Sequence, residues 1–139
     1  NKVNIGDTKM KNIQHGIKGI SELTVSSAEL ALNIGSGSLE VFATPVMIML
    51  MEKSACNCIS DYLEDDETTV GTEMNIKHIS ATPENMKVYA EATLTAVNGR
   101  EFIFNVKAFD DSGLIGEGEH KRFLVYGKKF TQKTQSKLK

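Results

Sequence analysis

The sequence predicts an α+β fold in which one long central helix is wrapped by a curved antiparallel sheet. Three observations carry that prediction. Every residue from Val46 to Met51 is apolar, and the run follows Thr44-Pro45, a good helix start: a hydroxyl to cap, then a residue already at helical φ with no amide left unpaired. Beyond it, four segments alternate apolar and polar residues with a period of two. Tight-turn signals stand between them and join neighbouring strands antiparallel.

In chain order, residues 1–16 scatter Lys2, Lys9 and Lys11 among polar groups without a sustained period, and are expected to lie loosely on the surface. Ile17 to Val25 reads as a first strand, and Gly35-Ser36-Gly37-Ser38 marks Ala28 to Leu39 as a flexible loop. A helix from Pro45 to about Leu63 follows, roughly 28 Å long at about 1.5 Å per residue. Its first two turns are hydrophobic all round, so something should cover them on every side. After an acidic loop, Val70, Thr72, Met74, Ile76 and His78 share one face of a strand, with Gly71, Glu73, Asn75 and Lys77 on the other. Met86, Val88, Ala90, Ala92, Leu94 and Ala96 then alternate with Lys87, Tyr89, Glu91, Thr93 and Thr95. Asn98-Gly99 supplies both central residues of a type I′ hairpin. Phe102, Phe104, Val106 and Ala108 line one face of the next strand, Asp110 to Gly113 turns the chain, and a last strand runs from Leu114 to about Tyr126. Residues 17–127 are expected to form the domain and 128–139 a basic tail. Strand, buried helix and four strands is the layout of a hot-dog fold; an α+β sheet with a helix on one face satisfies the same pattern.

Composition narrows the function classes. A chain of 139 residues supports one core and is small for nucleotide-binding or α/β-hydrolase scaffolds. With 16 basic and 18 acidic residues the net charge is −2, so no overall field attracts nucleic acid or an anionic membrane. The charge is uneven: Asp61, Glu64, Asp65, Asp66 and Glu67 cluster, while Lys128, Lys129, Lys133, Lys137 and Lys139 stand in a tail without an acid, both read as solvated ends. Cys56 and Cys58, two apart on the predicted helix, point to nearly opposite sides and can neither pair nor share a metal; reduced structural thiols in a cytoplasmic protein are the expectation. No stretch reaches the roughly 20 apolar residues of a membrane span, and the polar start has no signal-peptide core.

GxSxG, P-loop, GxGxxG, HExxH and Cys-rich metal spacings are all missing, so any catalysis uses scattered residues and no metal. Four places invite a chemical reading. Glu52 is a carboxylate in an apolar helix, where burial without a donor would tune it as a base or nucleophile; pairing with a neighbour, or pointing out beside Lys53, is the plainer alternative. His78 falls on an apolar face, where a hydrogen-bonded core histidine is the plainer alternative. In the run Gly116 to Arg122, the even members put two glycines, His120 and Arg122 on one face, an odd lining unless something approaches closely; a ladder of surface charges is the alternative. Thr44 offers a hydroxyl at a helix N-terminus, where anionic oxygen is stabilised, or simply a cap. Eight residues separate Thr44 from Glu52, about 12 Å along a helix, so the two can meet one substrate only from two sides or through a third group.

Taken together, Ala43-Thr44-Pro45 through Leu50-Met51-Glu52, Gly71-Thr72 leading to His78, and Gly116-Glu117-Gly118 through His120 and Arg122 resemble the hot-dog thioesterases related to fluoroacetyl-CoA thioesterase. The resemblance extends from about Ile17 to Tyr126. It implies a catalytic set of Thr44, Glu52 and His78, whose spacings of eight and 26 residues match the family's. It also implies Gly71 near the thioester and Arg122 at the acyl-CoA site; His120, on the same strand face as Arg122, and Phe42, before the helix, are further substrate-binding candidates. The implied activity is hydrolysis of an acyl-CoA to acid and coenzyme A, with no cofactor beyond the coenzyme A of the substrate. The implied assembly is a homodimer, with a higher oligomer left open and sites between subunits. Leu39, Phe42 and Met47 have no clear match among the family's lid and pocket residues, so a general short-chain acyl group is expected rather than fluoroacetyl. A non-catalytic acyl-CoA-binding module is the alternative; a hydratase fits less well, since no Asp and His pair stands near the helix start.

Overall fold

The computed structural model describes residues 13–139; most of the segment expected to lie loosely, residues 1–12, falls outside them. Among the described residues five strands form one antiparallel sheet: β1 (Lys18–Thr24), β2 (Glu67–His78), β3 (Lys87–Asn98), β4 (Glu101–Asp110) and β5 (Gly113–Tyr126), in the order β1-β3-β4-β5-β2. β1 and β2 are the two edges.

The long helix, α2 (Thr44–Ile59), lies on one face of the sheet, continued by a 3-10 turn over Ser60–Tyr62. Its buried residues are Met47, Leu50, Met51, Ser54, Ala55, Cys58 and Ile59, a spacing of three and four that lines up one side of a helix. They meet Val88, Ala90, Ala92 and Leu94 of β3 and Phe102, Phe104, Val106 and Ala108 of β4, all 0–1% exposed. Burial pushes the Cys58 thiol up to about 11. Full coverage of the first two turns does not hold: Met49 is 44% exposed, because the sheet covers only one side of the helix.

β1 passes so close to α2 that only glycine fits at the crossing: a Cβ on Gly19 would lie 2.2 Å from the Ser54 carbonyl oxygen and 2.7 Å from Cys58 Cα. Ser54 and Ser21 bridge the same crossing at 2.8 Å, and the Ser54 hydroxyl also reaches the carbonyls of Leu50 and Ala90. The polar groups buried there are thus paired.

Four further sequence expectations are corrected. Ala28 to Leu39 is not one loop: a 3-10 turn at Ser27–Glu29 and a one-turn helix, α1 (Ala31–Ile34), precede Gly35, and backbone bonds Ala31 to Val41 and Leu32 to Leu39 close the segment on itself. Thr44 is not the cap of α2; that position is Ala43, with no side-chain cap. The hairpin after β3 turns on Gly99 and Arg100, with Asn98 paired to Glu101 in the ladder, so only Gly99, at φ 64°, takes positive φ. The faces of β2 switch midway: Gly71 pairs with Arg122 and Glu73 with Lys121, leaving Thr72 as a bulge. Gly71 therefore shares the inner face with Met74, Ile76 and His78, whereas Val70 and Thr72 do not.

The acidic loop and the basic tail meet. The tail is helical, α3 (Gly127–Gln135), with no buried residue, and Asp66 accepts from the Lys128 amide at its N-terminus. No helix among the described residues is long and apolar enough to cross a membrane.

Candidate active site

The inner-face residues of β2 and β5 divide the candidate side chains into two groups, one at each end of the strands. At the first, β2 ends on His78, opposite Gly116, beside the start of α2. Thr44, freed from capping by Ala43, turns its hydroxyl to the imidazole: Oγ1 and His78 Nδ1 are 2.8 Å apart. Phe42, 1% exposed, sets its ring edge-on to the imidazole, centroids 6.5 Å apart. His78 Nε2 is buried without a hydrogen-bond partner among the described residues. Burial holds the imidazole below its ordinary pKa, opposed in part by the Ser80 backbone, so the ring is neutral at pH 7 and able to take a proton.

This pair opens on a cleft of about 390 Å³ lined by Leu39, Val41, Phe42, Thr44, His78 and Ile79, with small residues from 36–38 on its rim. Gly116 keeps the space behind it open to Met47, whose sulfur would lie 2.6 Å from a Cβ there.

The second group gathers around Arg122, 7% exposed. Its Nε donates to Thr69 Oγ1 (2.8 Å), its Nη2 to the Thr69 carbonyl (2.9 Å), and its Nη1 to His120 Nε2 (3.2 Å). The same Nη1 stands 3.5 Å from Glu52 Oε2. Gly71 closes the group: a Cβ there would lie 2.8 Å from Glu52 Oε2, 3.3 Å from His120 Cε1 and 3.4 Å from Arg122 Nη1. The Thr72 bulge that turns Gly71 inward thus brings a bare backbone beside the carboxylate. Glu52 is not sealed in, its side chain being 44% exposed.

The structure therefore joins Thr44, His78 and Phe42, and separately Glu52, Gly71, His120 and Arg122. Gly116 and Arg122 mark the two groups on β5, six residues or roughly 20 Å apart at about 3.3 Å per residue, so one chain does not bring Thr44, Glu52 and His78 to one point. Thr69 escaped the sequence reading although it accepts twice from Arg122. Its signal was faint, a threonine two residues before Gly71, legible only once the bulge fixes which residues face in. Among the described residues no group of three His, Cys, Asp or Glu side chains is placed to hold a metal.

Comparison with known proteins bears on the family and the fold. Residues 25–128 match the family described as fluoroacetyl-CoA-specific thioesterase. The fluoroacetyl-CoA thioesterase of Streptantibioticus cattleyicolor is 38% identical over 98 residues, 70% of each chain. A mutant of a fluoroacetyl-CoA thioesterase, solved in complex with acetyl-CoA, superposes with a TM-score of 0.85 at 30% identity, covering 90% of this chain and 98% of that one. A hot-dog-like protein of Thermanaerovibrio acidaminovorans, 17% identical, shares the fold at a TM-score of 0.83, with 93% and 96% covered. The fold is thus the hot-dog, with α2 as its central helix, and the chain belongs to the family of fluoroacetyl-CoA-specific thioesterases.

Proposed function

We propose that this protein hydrolyses a short-chain acyl-CoA to the free acid and coenzyme A, as a homodimer whose sites each draw on both chains. Membership of a thioesterase family supports the reaction. The observation that carries the site is the Thr44–His78 contact beside an unpartnered imidazole nitrogen and a small cleft. About 390 Å³ is at the small end of ligand sites, in keeping with a short acyl group held inside and the rest of coenzyme A outside.

What one chain leaves incomplete supports the dimer. β2 is a twelve-residue edge strand with an open hydrogen-bonding side. Two such strands paired antiparallel about Asn75 set residue 78 of one opposite residue 72 of the other, the bulge beside Gly71. That symmetry brings Thr44 and His78 to Glu52 of the partner subunit.

In this arrangement Glu52, its charge held by Arg122, either attacks the thioester carbonyl, expelling coenzyme A as thiolate and leaving an acyl-Glu52 anhydride that water hydrolyses, or as general base takes a proton from the water that attacks the carbonyl. Gly71 lets the thioester approach the backbone. His78, neutral and held by Thr44, takes a proton from water and passes it to the departing coenzyme A thiolate. No cofactor takes part, and the two unpaired cysteines fit the reducing cytoplasm.

The test is thiol release from a panel of acyl-CoAs, followed with a thiol-reactive dye. The wild-type protein is expected to release coenzyme A, and E52A and H78A proteins to lose at least about a hundredfold of that rate. Folded E52A and H78A proteins that turn over like wild type would overturn the assignment. A thermal shift without thiol release across the panel would instead mark a binding module.

A further inference from the structure

His120 is a buried titratable group for which the proposed chemistry has no use. It is 1% exposed, and both ring nitrogens are engaged inside the chain. Nδ1 lies 2.8 Å from the Glu73 carbonyl oxygen, which only accepts, so the proton sits on Nδ1. Arg122 Nη1, which only donates, lies 3.2 Å from Nε2, so Nε2 presents its lone pair. The two contacts agree on one neutral tautomer. Burial, with the Arg122 charge adding to it, outweighs the Glu73 carbonyl and Glu52, and keeps the imidazole below its ordinary pKa. The Phe104 ring packs along it, centroids 6.2 Å apart and planes 29° apart, and fixes its plane.

The Glu73 carbonyl belongs to the bulge that turns Gly71 inward. One irregularity in β2 therefore sets both the glycine beside Glu52 and the histidine behind Arg122. Thr69 fixes the other side of the guanidinium through Nε and Nη2, which leaves Nη1 as the nitrogen that meets both His120 and Glu52.

We propose that His120 is a positioning residue: its Nε2 lone pair, aimed by the Glu73 carbonyl, holds Arg122 Nη1 against the Glu52 carboxylate. It touches neither substrate nor the reacting atoms. This rests on the role proposed for Glu52, and it assigns His120 to the setting of that carboxylate rather than to substrate binding.

Two measurements test it. In acyl-CoA hydrolysis, H120F, which keeps the ring and loses the acceptor, is expected to lower kcat at least about tenfold with KM within about twofold, and H120Q, which restores an acceptor near Nε2, to recover most of it. H120F at wild-type kcat, or H120Q as slow as a folded H120F, would overturn the proposal while an inactive E52A protein left the role of Glu52 standing. An active E52A protein would overturn that role whatever His120 does. The second measurement needs no variant to fold: nitrogen NMR of the histidine-labelled wild-type protein at pH 7. A neutral ring protonated on Nδ1 is expected for His120; a proton on Nε2, or a charged ring, would overturn the proposal.

Discussion

Thr44 Oγ1 and His78 Nδ1 lie 2.8 Å apart although 34 residues separate them, and the contact exists because Thr44 is the first residue of α2 rather than its cap. The cap position belongs to Ala43, which has no side chain to offer, so the threonine hydroxyl is free to face the imidazole. In T44A the helix loses no capping bond, and stability should change by well under the ~1 kcal/mol that removing a cap costs. Hydrolysis should fall about tenfold or more, as expected when a proton-transfer group loses its orientation, and T44S should retain most of it. Thermal unfolding beside kcat decides; a large fall in Tm with kcat preserved would return Thr44 to a structural role.

Gly71 faces Glu52 with no side chain between them. A methyl group there would lie 2.8 Å from the carboxylate oxygen, and the exposed Glu52 is what gives way. G71A should therefore fold with nearly unchanged Tm while hydrolysis drops about tenfold to a hundredfold, the scale of a misplaced reacting group. An active G71A protein would mean that the approach to Glu52 is not used.

Glycines in the frame should behave oppositely. A Cβ on Gly19 meets the backbone of α2 at 2.2–2.7 Å, and one on Gly118 meets the Asn75 carbonyl at 2.1 Å; neither backbone can step aside cheaply. G19A and G118A should each lose about 1–3 kcal/mol or more of stability, read by chemical denaturation. Unchanged midpoints would contradict the close crossing of β1 and the tight β2–β5 ladder.

Stability should also depend on pH through two histidines. His78 and His120 both sit below the ordinary value, held there chiefly by burial. A folded-state pKa below the unfolded value of about 6.5 means the unfolded chain binds more protons in between, so their contribution is complete above about pH 6.5 and lost as pH falls through the folded values. Tm should accordingly decline on acidification from pH 7, and the decline should be shallower in H120Q. A Tm curve that is flat down to pH 5 would contradict the burial of both rings.

Much of this was legible in the sequence, and what was not has a common cause. The alternation of Phe102 to Ala108 and the spacing of Met47 to Ile59 report burial directly, because each side chain answers to its own strand or helix period. The bulge at Thr72 left no such mark. It arises from pairing with β5, and a one-residue slip there exchanged the faces read for Val70 and Gly71. The hairpin at Gly99 moved by one residue for the same kind of reason, since the ladder, not the Asn-Gly pair, decides which residues are central. Met49, read as covered, is exposed because the sheet covers only one side of α2. Apart from Thr69, the residues of both groups stood out in the sequence; their division into two groups did not, for it depends on which end of β2 each one reaches.

The central claim, which rests on that division, is the proposal that Thr44 and His78 act with Glu52 of the partner subunit. It is tested most directly by mixing two inactive proteins, E52A and H78A, under conditions that exchange subunits, and measuring acyl-CoA hydrolysis. A mixed dimer keeps one site with both residues intact, so random exchange of equal amounts should restore about a quarter of the wild-type rate. A mixture as inactive as its two components, with exchange confirmed, would contradict the shared site.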